Sequence, residues 1–242
     1  MNTINDFEEI DVSQIFIGVG KKGQRGNITA NIYYKTPGTP LRMKTPRLRV
    51  PFGFSMPKDA PGWENSGVKL ALSFSSNSGD KIREFEEKIM EIDQRLFQQV
   101  LERQNIKGSE LITKKLNESN CNTLRRPHEQ PDKYSPLIKA KVDTKVVGTE
   151  KETIIDLEIY DKEGNLIPPA EVTPGGEVRT VLEISYVYII SVTNWGFMSK
   201  VKQIKFYPGS SRIVGNVFED NLGQASIAVA DNHNVEDMSL AD

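Results

Sequence analysis

β-Branched and aromatic residues fill Ile15-Phe16-Ile17-Gly18-Val19 and the stretch from Ile28 to Tyr34, with glycines at 18, 20, 23 and 26 among and between them. Two such runs around a glycine-rich joint predict a β-hairpin. Pro37, Pro40, Pro46, Pro51, Pro57 and Pro61 follow. Proline fixes φ and lacks an amide donor, so this segment is expected to be extended and turn-rich rather than helix or central strand. Val68 to Phe74 reads as a further strand. The period then changes. Ile82, Phe85, Ile89, Ile92, Leu96, Val100 and Leu101 recur three and four residues apart, which makes one apolar stripe on a helix from about Asp80 to Asn105, with Asn77, Ser78 and Asp80 as start signals. Ser109, after Gly108, is placed to cap a shorter helix from Glu110 to Asn117. Residues 118–133 read as a loop. The second half returns to strand texture over 137–147, 153–160, 178–192 and 197–207, with turns at Asp161-Lys162-Glu163-Gly164-Asn165 and Pro174-Gly175-Gly176.

This order predicts a mainly β, α+β chain: a sheet or barrel over residues 13–212 that carries a helical insertion at about 80–118. Residues 1–12, polar and acidic, are expected to be a flexible arm. Residues 213–242 have weak periodicity and are expected to form a largely disordered tail. At 242 residues, 37% hydrophobic and 26% charged, the chain suits one soluble domain with extensions. The apolar run Tyr186 to Val192 is too short to cross a bilayer, and the acidic N-terminus lacks the pattern of a secretory signal. Neither a membrane nor secretion is expected.

Candidate chemistry is sparse. Cys121 is the only cysteine, and His128 and His233 are the only histidines, which argues against a disulfide, a thiolate metal cluster or a histidine-based triad. The single cysteine also fits a reducing compartment. Gly18-Val19-Gly20-Lys21-Lys22-Gly23 lacks the spacing of a phosphate-binding loop and should lead into a strand. Asp156 and Glu158 alternate along a predicted strand, an arrangement that suits a solvent face better than a two-metal site. The expectation is no enzyme, no cofactor and no metal.

Charge is where the sequence becomes informative. The net charge of −2 conceals a split. From Lys21 to Lys58 the chain carries Lys21, Lys22, Arg25, Lys35, Arg42, Lys44, Arg47, Arg49 and Lys58 without one Asp or Glu. After Ile213 it carries Glu219, Asp220, Asp231, Glu236, Asp237 and Asp242 without one Lys or Arg. A cationic stretch attracts phosphate backbones, and an anionic tail can compete for the same groove. Tyr33, Tyr34, Phe52 and Phe54 are interleaved with the cations, and cations with flat rings are the two ingredients of single-strand binding. The candidate nucleic-acid contacts are Lys21, Lys22, Arg25, Arg42, Lys44, Arg47 and Arg49 for phosphates, and Tyr33, Tyr34 and Phe52, with Trp195 of a second aromatic set, for stacking. Tyr186 and Tyr188 share one strand face, either core or platform.

Thr45-Pro46-Arg47-Leu48-Arg49-Val50-Pro51-Phe52-Gly53-Phe54 is similar to the "TP…PFG" pattern of single-stranded-DNA-binding proteins of large nucleocytoplasmic DNA viruses, which in turn resemble the replication proteins of podovirus-type phages. Lys69 to Phe74, Ile92-Asp93, Tyr134 to Lys139, Ile159 to Asn165 and Val201 to Ile204 continue the likeness in order, over roughly residues 14–207. The resemblance implies an OB-fold, a five-stranded barrel with an inserted helix, and an acidic tail that competes with DNA and recruits replication proteins. It implies coating of single-stranded DNA in viral replication, recombination and repair, in host cytoplasm (a virus factory) or nucleus, with a homodimer also allowed. This chain departs from the family in spreading its tail acids rather than blocking them. The alternatives are a virion or scaffold barrel touching packaged genome, and an RNA-binding OB module.

Overall fold

The two runs near the N-terminus form the expected antiparallel hairpin, β1 (Ile15–Lys22) and β2 (Ile28–Tyr34), with Ile17 opposite Ile32 and Lys21 opposite Thr29. Gly18 to Lys22 thus lie in a strand and feed no helix. The proline-rich segment yields two short strands, β3 (Leu41–Lys44) and β4 (Leu48–Arg49). They are followed by β5 (Lys69–Ser73), the helix α1 (Gly79–Gln104), β6 (Leu137–Val142), β7 (Glu158–Tyr160), and the long pair β8 (Glu177–Ser191) and β9 (Asn194–Tyr207). The computed structural model describes residues 4–24, 26–55, 67–75, 79–104, 116, 118–149 and 152–209. The helix expected at 110–117, apart from the buried Leu116, and the acidic tail lie outside these residues.

The protein is mainly β with one long helix. Pairing runs from β8 to β9, β9 to β6, β6 to β5, β5 to β4 and β4 back to β8. β2 and β3 share one side of β8, β2 at residues 186–189 and β3 at 181–184. Inward positions such as Ile17, Ile32, Leu41, Leu70, Ile138, Leu182 and Val201 form the core. The predicted strand over 137–147 breaks at Asp143. There the carboxylate takes the ammonium groups of Lys200 at 2.9 Å and Lys202 at 2.5 Å. Residues 144–147 turn away and pair with residues 152–155 as a separate ribbon.

The N-terminal arm departs from expectation. Asn5 and Asp6 pair in parallel with Met43 and Lys44, Phe7 and Ile10 are buried, and the Phe7 ring meets Phe85 edge-on at 5.2 Å. Acidic residues bracket an apolar anchor here, and the anchor decides the outcome. Residues 4–12 are part of the domain.

α1 presents the predicted stripe to the sheet: Ile82, Phe85, Ile89, Ile92, Leu96 and Val100 are buried, while Leu101 is 37% exposed at its margin. Two polar residues on that buried side do specific work. Gln99 donates to Ile15 O at 2.6 Å and accepts from Ile17 N at 2.9 Å, serving the edge of β1 that β2 does not pair. Asp93, 8% exposed, accepts from Leu124 N at 2.8 Å and Arg125 N at 3.0 Å. Near the end of the helix Phe97 stacks on Trp195 of β9 at 5.8 Å.

Gln99→Leu keeps the volume but removes both bonds to the β1 backbone in a water-excluded site. Chemical denaturation should report a loss of about 2–3 kcal/mol, and an unchanged midpoint would contradict this role. Burial pushes the Asp93 carboxyl from its ordinary 3.8 up to about 6, against the opposing pull of its two amide donors. The folded state therefore holds this proton more tightly than the unfolded chain. That contribution is fully present below about pH 4 and is lost as pH rises through about 6. Relative to Asp93→Asn, the parent should lose stability over this window in denaturation at fixed temperature; parallel curves would refute it.

Candidate nucleic-acid interface

Alternation along β5, β6 and β9 turns their apolar residues inward and their lysines outward. Lys69 of β5 stands directly opposite Lys141 of β6, and Lys141 is in register with Lys200 of β9. Lys139, two residues before Lys141, shares the outward face opposite Ala71. Like charges placed directly across a sheet repel. Lys200 is neutralised by Asp143. Lys69, Lys139 and Lys141 have no ion pair among the described residues. Burial, and then the charges of Lys141, Arg126 and Lys139, hold the Lys69 ammonium below the ordinary lysine range. Among the described residues these three cations thus form a row without an ion-paired anion.

Aromatic side chains occupy the other half of the same sheet. Phe16 and Tyr33 are register partners across the β1–β2 hairpin, with ring centroids 5.7 Å apart. The Tyr33 ring lies over Gly18, where an added Cβ would sit 2.6 Å from the ring; only a residue without a side chain leaves that room. These residues, with Val19, Lys21, Thr29, Asn31 and Pro37, line a cavity of about 490 Å³. Val19, at the β1 bulge opposite Asn31, is 82% exposed. Tyr186 pairs with Asn31, and Tyr188 with Thr29, whose other neighbour is Lys21. Lys21, Thr29 and Tyr188 thus form one row across three strands. Both tyrosines are half-buried. They face outward because β8 bulges between Ile184 and Tyr186, which shifts the alternation: Ile184 is buried before it, and Val187 and Ile189 after it.

The loop at 121–128 joins the two halves. Cys121 and Asn122 run parallel to Trp195 and Gly196 of β9. Gly196 has φ 156°, and a Cβ there would lie 2.3 Å from Asn122 O, so glycine is what admits the loop. Arg126 donates to Asn122 Oδ1 at 3.4 Å and exchanges backbone bonds with Leu137. The Tyr188 phenol is raised above its ordinary range by burial, opposed by the adjacent Arg126 and Asn122. Asn122, Thr123, Arg126, His128 and Lys139 line a cavity of about 480 Å³, with Glu129 the one carboxylate on its wall.

The residues expected from sequence are distributed differently. Lys21 and Tyr33 lie on the aromatic half. Lys22 is exposed but faces the other side of the hairpin, and Arg25 lies outside the described residues. Trp195 is fully buried between Phe97 and Phe197, so it serves the core and not stacking. Tyr34 is 3% exposed, with its hydroxyl accepting from Asp11 N at 3.1 Å and donating to Glu9 O at 3.4 Å; it anchors the N-terminal arm and offers no platform. Arg42 is bound to Glu183 at 2.7 Å and Lys44 pairs with Asp6 at 3.7 Å. Arg47 lies 3.8 Å over the Tyr207 ring. Arg49 and Phe52 are exposed, Phe52 to 68%. Arg49 pairs with Glu177, at the opposite end of β8 from Tyr188, on the order of 30 Å along an extended strand. The "TP…PFG" segment is itself largely structural. Thr45 is buried, exchanges bonds with Thr180 and accepts from Arg179 Nε at 3.2 Å, while Leu48 and Val50 are core.

Lys69, Lys139, Lys141 and Arg126 are not among the contacts expected from the sequence. The alternation Leu137-Ile138-Lys139-Ala140-Lys141-Val142 carried a signal of two lysines on one face, but not that Lys69 would stand across from them.

No helix among the described residues is long and apolar enough to cross a membrane. The sequence matches no protein-family model and no curated protein. Among solved structures, the chain is similar to gp2.5, a single-stranded-DNA-binding protein encoded by bacteriophage T7, with 12% identity over 76% of this chain and 98% of that one and a TM-score of 0.48. It is also similar to the single-stranded-DNA-binding protein of bacteriophage Enc34 in complex with single-stranded DNA, with 14% identity over 82% and 98% of the respective chains and a TM-score of 0.41.

Proposed function

We propose that this chain binds single-stranded DNA without sequence preference, on an OB-type five-stranded barrel. The observation that carries this reading is the cation row of Lys69, Lys141 and Lys139 with Arg126, left without carboxylate partners among the described residues and adjoining the half-exposed rings of Tyr186 and Tyr188. A phosphodiester chain supplies the missing anions, and unstacked bases supply faces for the rings. Duplex DNA offers the anions but keeps its bases stacked, so the aromatic half favours a single strand. In this reading the protein catalyses nothing. It coats exposed strands in viral replication, recombination and repair, and the acids after Ile213 compete for the groove and receive replication proteins.

Binding should relieve the repulsion around Lys69 and be strongly salt-dependent. With Lys21, Lys69, Lys139, Lys141 and Arg126 as contacts, log affinity should fall against log salt with a slope of roughly −3.5, at about −0.7 per contact. In fluorescence titrations with oligo-dT, Lys139→Ala with Lys141→Ala should flatten this slope by about 1.4. A slope unchanged by the pair, or binding indifferent to salt, would overturn the reading. Tyr188→Ala should instead weaken binding by about 1–3 kcal/mol, the usual range for one stacked base, while leaving the slope near the parent value. Matched RNA and duplex titrations test the preference for a DNA single strand.

A further inference from the structure

The loop that presents Arg126 is held from two sides. On the sheet side, Arg126 N donates to Leu137 O at 2.9 Å and Leu137 N to Arg126 O at 3.0 Å. On the helix side, Asp93 accepts from the successive amides of Leu124 and Arg125, at 2.8 and 3.0 Å. Seven residues earlier on α1, about two turns, Glu86 takes the Arg125 guanidinium at 2.6 Å. With Arg125 drawn to the helix, Arg126 is left on the groove side, beside Asn122 and the Tyr188 phenol.

A carboxylate suits this task. Its two oxygens accept from two adjacent amides at once, whereas a carboxamide has one acceptor and would set its NH₂ against the second N–H. Asp93 is only 8% exposed, so an amide deprived of it finds little water to take its place. We propose that Asp93 is a positioning residue for nucleic-acid binding: it fixes the backbone at Leu124 and Arg125 so that Arg126, and not Arg125, presents its guanidinium to a phosphodiester at the cavity shared with Lys139. This rests on the single-strand reading above. It gives α1 a role in the groove although the helix lies on the core side of the sheet. A slip of the loop by one residue would exchange the two arginines and take the cation of Glu86 away.

The test is a set of salt titrations with labelled oligo-dT on the full chain: parent, Arg126→Ala, Asp93→Asn and the double variant. Arg126→Ala should weaken binding about tenfold, as for loss of a charged hydrogen bond, and flatten the salt slope by about 0.7. Asp93→Asn should flatten the slope similarly, and the double variant should show no further change, because both substitutions withdraw the same cation. A purely structural Asp93 would lower Tm and leave slope and affinity at parent values, which overturns the proposal. Should Asp93→Asn fail to fold, Asp93→Glu keeps the charge but moves the carboxylate off the two amides by one methylene; it should flatten the slope in the same direction, and an unchanged slope overturns the proposal. If Arg126→Ala weakens binding and Asp93→Asn does not, only the positioning role fails. If Arg126→Ala leaves binding unchanged, the nucleic-acid reading of this groove fails with it.

Discussion

Strand β8 is the member to which the rest of the sheet is attached. It pairs with β9 along one side, and with β2, β3 and β4 in succession along the other. A strand of this length with strict alternation would keep one set of residues inward from end to end. The bulge between Ile184 and Tyr186 breaks that parity. Before it Leu182 and Ile184 fill the core; after it Val187 and Ile189 do, and Tyr186 and Tyr188 turn outward beside Lys21 and Arg126. One extra residue in the ladder therefore moves two aromatic rings from the interior to the face that carries the cations.

The charges obey a similar rule of arrangement. The run from Lys21 to Lys58 is uniformly basic in sequence, yet the fold brings Glu183 to Arg42 and Asp6 to Lys44 and Arg179. These are partly exposed pairs, each worth little to stability, but they cancel the field of that segment locally. On the face that carries Tyr186 and Tyr188, the cations without an ion pair among the described residues come from separate parts of the chain: Lys21, Lys69, Arg126, and Lys139 with Lys141. Their proximity is a product of the β5–β6 register and of the loop held by Asp93.

Much of the fold was legible because it depended on local periodicity. The alternation of β1, β2, β5, β8 and β9 and the three-and-four spacing of α1 are properties of short windows, and each element forms close to the limits expected. The break at Asp143 was not legible, and neither was its pairing with Lys200 and Lys202, which lie in a strand about sixty residues later in sequence. The site was less legible for the same reason. Trp195 and Tyr34 are amphipathic rings whose sequence surroundings do not tell core from surface; the partners that bury them, Phe97 and the N-terminal arm, are remote. Asp93 reads from sequence as a polar position on a helix, and only the position of residues 124 and 125 makes it an anchor.

A strand paired on one side offers its open side to any other chain that comes near. Among the described residues β1 pairs only with β2; the Gln99 carboxamide occupies its other side at Ile15 and Ile17, and the bulge at Gly18 and Val19 interrupts the regular spacing beyond it. For a protein proposed to line up many copies along one polymer, neighbours are held at high local density whatever the bulk concentration. An edge already occupied by its own helix lets those copies crowd together without adding strands to one another's sheets.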